Sequence, residues 1–506
     1  MKKKSGNGAC VKEKISHWHL LLDQGVVIKE IARWDYEGSG TTDNPYIVEW
    51  IKNDPRNPME WSGLRKWIYC TIMGIATLAI SLSSSAYGGG IEQIQRDFHV
   101  SNEVATLGVS MFVLGFALGP LLWAPFSEMY GRQVVFVSTF LAFVAFTAGA
   151  AGSQNIWTLI VHRFLASAFG SSSLTNAGGV IADMFAPKQR GLAMAVFTAA
   201  PTLGPVIGPI AGGFLGMKEG WRWIEGFLAI LSGVLFILSI VVVPETYAPT
   251  LLRKRARTLS RTTGKVYLSK IAINRGKRSL IGALRMGLRR PWVLLLREPI
   301  VLLLSLYMAV IYGTLFMFFS AYPIVYHVHR GWNQGIANLP FISVAIDRLH
   351  SSIIAGVALP VGLFWFAWTN SPSLPWAASA AAGIPFGFGI LTVLLGITNY
   401  LVDAYTIYAA SVLAANNSLR CVFGAAFPLF TSQMYSRLGI HWASALPGFL
   451  TVACFPLIVT LYRYGAIIRK RCKYAAEAQA YWEEIHEQKL QRTQESSNTV
   501  LAGSYK

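Results

Sequence analysis

The sequence predicts an all-α polytopic membrane protein made of two six-helix halves joined by a basic linker. Three observations carry this. Apolar residues make up 53% of the 506 and charged residues only 14%, where soluble domains carry about 25%. The charges are clustered, and apolar blocks of about 20 residues lie between the clusters, the length a helix needs to cross a bilayer with its backbone bonded internally. The strongest basic cluster, 244–298, separates two sets of such blocks.

Residues 1–67 are polar and have no apolar core of the kind a secretory signal needs, so no cleaved signal is expected and they read as a cytoplasmic tail. Spans follow near 68–88, 104–126, 134–152, 157–182, 191–215 and 223–243, which makes 68–243 the first half. The linker 244–298 is basic from Arg253 to Arg297, with Glu245 and Glu298 as its acids. A basic run can bind nucleic acid. Between two membrane halves the positive-inside rule explains it better and excludes a nucleic-acid partner, with contact to anionic lipid as a secondary role. The same rule puts Lys66, Arg132, Lys188, Arg190 and the "RKRCK" at 469–473 inside, and with them both termini. The second half, 299–464, holds 299–325, a weak piece at 335–346, then 353–369, 375–400, 404–432 and 443–464, before a tail at 465–506.

The five cysteines, Cys10, Cys70, Cys421, Cys454 and Cys472, are scattered without a CxxC pair. His327 and His329 have no further ligand nearby in sequence. No nucleophile–base set or paired intramembrane carboxylate stands out. No metal, cofactor or enzymatic activity is expected.

The first half carries the informative residues. Arg163 lies about 9 Å into span four at 1.5 Å per residue, where an ionisable group faces a cavity or a partner. Ser167, Gly170 and Ser171 follow on its face, while the neighbouring His162 points elsewhere and is expected to pack. In "GPVIGPIAGG" (204–213), Gly204, Gly208 and Gly212 recur every four residues on one helix face, which allows close helix approach. Pro205 and Pro209 remove two backbone donors and favour a bend. Glu128 and Arg132 flank Gly131 between spans two and three, four residues apart and suited to an ion pair. Asp183 and Arg190 repeat the acid-then-base order after span four.

These stretches resemble the major facilitator superfamily, in particular its fungal drug:proton antiporter branch with twelve spans. "SEMYGRQ" (127–133) is similar to the family's loop 2–3 motif, "RFLASAFG" (163–170) to its helix 4 motif, and "GPVIGPIAGG" to its helix 5 antiporter motif. "DPRNPMEWSGLRKW" (54–67), "PETYAPTLLRKRA" (244–256) and "AASVLAANNSLR" (409–420) resemble fungal members over most of the chain. Ala124, Met129 and Gln133 depart from the loop motif. The resemblance implies a major facilitator fold and proton coupling through Arg163. It also implies gating loops at Glu128, Gly131, Arg132, Asp183 and Arg190, and a seal formed by Gly204, Pro205, Gly208, Pro209, Gly212 and Gly213. Its cavity helices place Tyr312, Phe316 and Phe319 on one face of helix 7, below Met308, with Asn417 and Arg420 in helix 11 as further substrate candidates. Few acids lie at membrane depth, so neutral or anionic organic molecules fit better than polycations.

Relatives complete an eighth span and a loop where this chain runs from "LPFISVAI" straight into "DRLHSSIIAG". The resemblance implies a truncated helix 8, short by about 50 residues that would hold the rest of a ~20-residue span and its loop. The expected function is a monomeric, proton-coupled exporter of drugs or secondary metabolites in the cell membrane. The alternatives are a polyamine or nutrient carrier of the same fold, or a transport-dead sensor.

Overall fold

The computed structural model describes residues 15–275, 280–341, 352–405 and 408–477. They divide into two compact units, Met1–Gly287 and Leu288–Lys506. The division falls inside the expected linker, because the first part of that linker folds with the first unit.

In the first unit the membrane helices are α1 (Gly63–Ala86), continued by a 3₁₀ turn into α2 (Ile91–Phe98), then α3 (Asn102–Tyr130) and α4 (Arg132–Ala151). They continue with α5 (Ile156–Gly170), which runs into α6 (Ser172–Met184), then α7 (Pro187–Glu219) and α8 (Trp221–Val242). The starts follow local chemistry. Ser101 and Asn155 accept the N–H groups of Val104 and Thr158 at the heads of α3 and α5, and Pro187 opens α7 where no donor is needed. Two corners are single glycines. Gly131 (φ 104°, ψ 161°) joins α3 to α4, and Gly220 (φ 92°, ψ 167°) joins α7 to α8, in backbone geometry essentially reserved for glycine.

The tail and the start of the linker form a small folded module beside these helices. Strands β1 (Tyr46–Val48) and β2 (Tyr267–Ser269) pair in parallel, with Tyr46 opposite Tyr267. Helix α9 (Ala248–Thr263) lays Leu252, Ala256 and Leu259 against Tyr36, Val48 and Tyr267 to make its core. Arg255 grips Asp54 with two bonds, of 2.5 and 3.1 Å, both side chains being buried. Lys254 Nζ donates to Gln24, which donates to Gln133 at the head of α4. The start of the basic linker 244–298 thus folds onto the tail.

The second unit contains α11 (Pro299–Tyr322), α12 (Ser352–Thr369), α13 (Trp376–Ala381), α14 (Gly383–Ala404) and α15 (Ala409–Arg471), preceded by α10 (Leu280–Arg297), which crosses the division between the units. Helix α15 is two helices meeting at Gly439 (φ 73°, ψ 170°), a third glycine corner of the same kind. Phe318 packs edge-on to Phe366 and Phe386, tying α11, α12 and α14 together. Glu298, the single non-helical residue between α10 and α11, is buried and accepts from Tyr405 Oη and the Tyr474 N–H.

Eight helices among the described residues are long and apolar enough to cross a membrane. Counting α5–α6 as one, α12 as one and α15 as two gives, among the described residues, six crossings in the first unit and five in the second. The weak span at 335–346 is not seen as a spanning helix where it is described: Ile336–Asn338 is one 3₁₀ turn, and Phe341 packs on Phe319 and Tyr322. Residues 342–351, where the truncation is expected, lie outside the described residues.

Candidate functional site

Arg163 is held inside the first unit by four helices. On α5 it is 1% exposed. Its Nε donates to the Gly108 carbonyl of α3 at 2.9 Å and its Nη2 to the Ser83 carbonyl of α1 at 3.0 Å. Its Nη1 forms an ion pair with Glu225 of α8, itself 1% exposed. The guanidinium also lies over the rings of Tyr87 (4.1 Å) and Phe112 (4.7 Å). The site thus combines a permanent cation, a carboxylate able to take a proton, and a wall of apolar rings. Burial of such a pair is costly, and loss of either partner strands the other charge.

The polar stripe expected beside Arg163 packs instead. A side chain on Gly115 or Gly119 of α3 would run into Ser167 or Ser171, and one on Gly170 into Phe143 and Ile80. These small residues let α5 approach α3, α4 and α1. His162 packs as expected, against Gly149 and the Phe146 ring.

The glycine face of α7 meets α1. A Cβ on Gly204 would strike Ser81, one on Gly208 the Ser85 hydroxyl, and one on Gly212 the Ala86 backbone. Beyond them Gly89 meets Gly212 and Gly213, so backbone rests on backbone. Pro205 and Pro209 are buried in the same helix. Pro205 has no N–H to offer the Pro201 carbonyl one turn earlier, and Ser81 Oγ donates to that carbonyl at 2.7 Å. The carbonyl freed by the proline thus becomes a bond between helices.

At the other end of the bundle, Gly131 ends α3 and breaks the four-residue register between Glu128 and Arg132. Glu128 is exposed. Arg132 reaches across to Asp183 (3.6 Å), donates to Ser127 Oγ (2.7 Å) and lies over the Tyr247 ring (4.7 Å). Beneath it the buried Glu245 carboxylate accepts the N–H groups of Arg132, Gln133, Thr246 and Tyr247 at 2.9–3.1 Å, capping the start of α4. A side chain on Gly131 would collide with that carboxylate. The acid and base of the second loop part company: Asp183 pairs with Arg132 and accepts from Thr246, while Arg190 donates to the Ala182 and Phe185 carbonyls that end α6. Arg56 ties the tail to this cluster by donating to the Glu245 and Leu20 carbonyls. Burial pulls its guanidinium down to about 10, against the opposing pull of Glu245.

In the second unit Tyr312, Phe316 and Phe319 form a ring ladder on α11, with centroids 5.0 and 4.9 Å apart. Arg420 of α15 lies over Tyr312 at 4.7 Å and donates to Asn417 at 2.7 Å. The structure therefore brings all five of these candidates together.

The sequence profile described as the Major Facilitator Superfamily matches residues 73–428. The chain belongs to the major facilitator superfamily. A major facilitator superfamily multidrug transporter of Aspergillus fumigatus, mdrA, is 56% identical, over 96% of this chain and 85% of that one. The MFS-type efflux pump MFS2 of Trichophyton rubrum is 56% identical over 94% and 85%. Efflux pump FUB11 of Gibberella moniliformis is 45% identical over 89% and 81%. The alignment with mdrA extends over 515 positions, more than the 506 residues of this chain, so that relative has residues without a counterpart here. Among solved structures, the human organic anion transporter MFSD10 has a TM-score of 0.54 at 17% identity, covering 78% of this chain and 99% of that one. A D-xylose–proton symporter has 0.57 at 14%, covering 78% and 97%. These two share the facilitator fold.

Sequence reasoning missed Glu225 and Glu245. Glu225 sits at the head of span six beside "WRW", where an acid reads as interfacial; its signal was the need of Arg163 for a counter-charge. Glu245 lay in a quoted motif, but its function as a cap depends on α4, more than a hundred residues away.

Proposed function

We propose that the protein exports small organic molecules, drugs or secondary metabolites, across the plasma membrane in exchange for protons, by exposing a binding site alternately to the two sides. The observation that carries this reading is the fully buried Arg163–Glu225 pair in a chain whose 56%-identical relatives are named as a multidrug transporter and an efflux pump. Arginine keeps its proton at every physiological pH, so Glu225 is the group that titrates. A proton on Glu225 removes the charge attraction that fastens α8 to Arg163, while the bonds from Arg163 to α1 and α3 persist. Proton arrival then loosens one helix of the four. The α1–α7 seam is the seal in this scheme, and Arg132, Asp183 and Glu245 form the cytoplasmic latch. The protein works as a monomer with both termini in the cytoplasm and catalyses no covalent chemistry.

A second reading, a transport-dead sensor, is favoured by one observation: the alignment with mdrA is longer than this chain. One experiment separates the two. Inside-out vesicles bearing the protein accumulate a fluorescent drug only when acidified inside, and a protonophore abolishes accumulation. Accumulation that survives the protonophore rules out proton coupling, and none under any gradient favours the sensor.

A further inference from the structure

The two units treat the arginines within their membrane helices differently. Arg163 has Glu225. Arg420 stands on α15 about 16 Å from that helix's start, at 1.5 Å per residue. It is partly buried, its Nε is buried without a hydrogen-bond partner, and its side chain meets the neutral Asn417, the Cys421 sulfur and the Tyr312 ring. Among the described residues no carboxylate lies within 4.0 Å of it. The sequence explains why: neither α11 nor α15 contains a single Asp or Glu, and α12 through α14 contain only Asp403, the penultimate residue of α14. Glu298 is engaged by Tyr405 and Tyr474.

A cation at membrane depth is expensive unless paired, and it marks a binding site when its counter-charge is missing. We propose that an aromatic organic anion supplies that charge: Arg420 binds the carboxylate of the exported substrate, and its ring system stacks on Tyr312, which Phe316 and Phe319 back. The chemistry fits. The planar guanidinium offers its unbonded Nε–H toward a carboxylate, a geometry a lysine cannot reproduce. Tyr312, partly exposed beside the cation, offers an aromatic face, and the buried Phe316 and Phe319 stack behind it as apolar backing. This inference rests on the export reading for its word "exported", but the binding claim stands or falls separately.

The test uses the full-length protein in phosphatidylcholine nanodiscs at neutral pH and a matched pair of probes, 1-pyrenebutyrate and its primary amide. Equilibrium dialysis should show the carboxylate binding wild type at least tenfold more tightly than the amide. Arg420→Gln should weaken the carboxylate at least tenfold and the amide less than twofold, and Arg420→Lys should fall between. Amide binding retained by the variant reports an intact fold. Absence of carboxylate binding to wild type, no carboxylate preference, or equal weakening of both probes by Arg420→Gln overturns the proposal. Selective binding with no vesicle transport would instead leave it standing and sink the export reading.

Discussion

The asymmetry of partners at the central ion pair sets what single substitutions do. Arg163 has two carbonyls and two ring faces besides Glu225, whereas the bond the structure gives Glu225 is the one to Arg163. Arg163→Ala therefore strands a buried carboxylate, at about 3–5 kcal/mol if the charge persists. Glu225→Gln leaves Arg163 well solvated by carbonyls and rings, and should cost less. The double variant Arg163→Ala/Glu225→Gln should melt above Arg163→Ala alone, since it removes the stranded charge. All three should lose proton-driven transport, and Arg163→Lys should keep part of it. Thermal unfolding in detergent with vesicle uptake on the same preparations checks this; a double variant melting no higher than Arg163→Ala would refute the asymmetry. Arg163 was legible because an arginine inside an apolar run has few explanations. Its partner was not, because contact between spans four and six is a product of packing.

At the scale of helices, the sequence displays one face of a contact and hides the other. The glycines at 204, 208 and 212 announce a close neighbour, but nothing in their spacing says that it is the serine row of α1 or that Ser81 would satisfy the carbonyl freed by Pro205. Gly208→Val puts a branched side chain into Ser85, and no rotamer avoids it, since the clash begins at Cβ. It should abolish drug accumulation or open a proton leak while the protein still inserts. Ile210→Val, on another face, removes one methylene and should be mild, within about 1.5 kcal/mol. Proton-leak and uptake assays on equal amounts of inserted protein decide, and equal small effects would mean that the α1–α7 seam is not close-packed. The tail module was illegible for a different reason. Its strands are three residues each and pair across more than two hundred residues, while its Asp54–Arg255 grip joins two motifs that each look like surface sequence. Local periodicity carries no trace of either.

Across the whole molecule the two units repeat one device. Gly220 and Gly439 turn the chain before the last membrane helix of each unit, and each is followed by a residue that reaches back to an earlier carbonyl: Arg222 to Ser153, His441 to Ala367. Five residues past each glycine the units diverge, with Glu225 in the first and Ser444, bonded to Asn370 and Tyr435, in the second. The repeat makes the odd count of crossings among the described residues of the second unit conspicuous. A helix over 335–346 would reach about 18 Å against about 30 Å of hydrocarbon, and its first residues are a 3₁₀ turn. With eleven crossings the basic 469–473 segment faces outward, against the positive-inside preference. Merging 335–369 into one span would instead bury Asp347 and Arg348 in lipid, at about 2.5–3.5 kcal/mol each. Each arrangement is unfavourable, and the alignment with mdrA already requires residues that this chain lacks. The expected outcome is a transcript carrying about 30 further codons after Ile346, as many as the mdrA positions without a counterpart here and enough for the rest of a ~20-residue span and a short loop. Sequencing the transcript reads this directly, and the lengthened protein should transport where the 506-residue chain misfolds or stays inert. A transcript encoding these 506 residues, whose product inserts and pumps, would show that eleven crossings suffice and that the positive-inside argument fails for this tail.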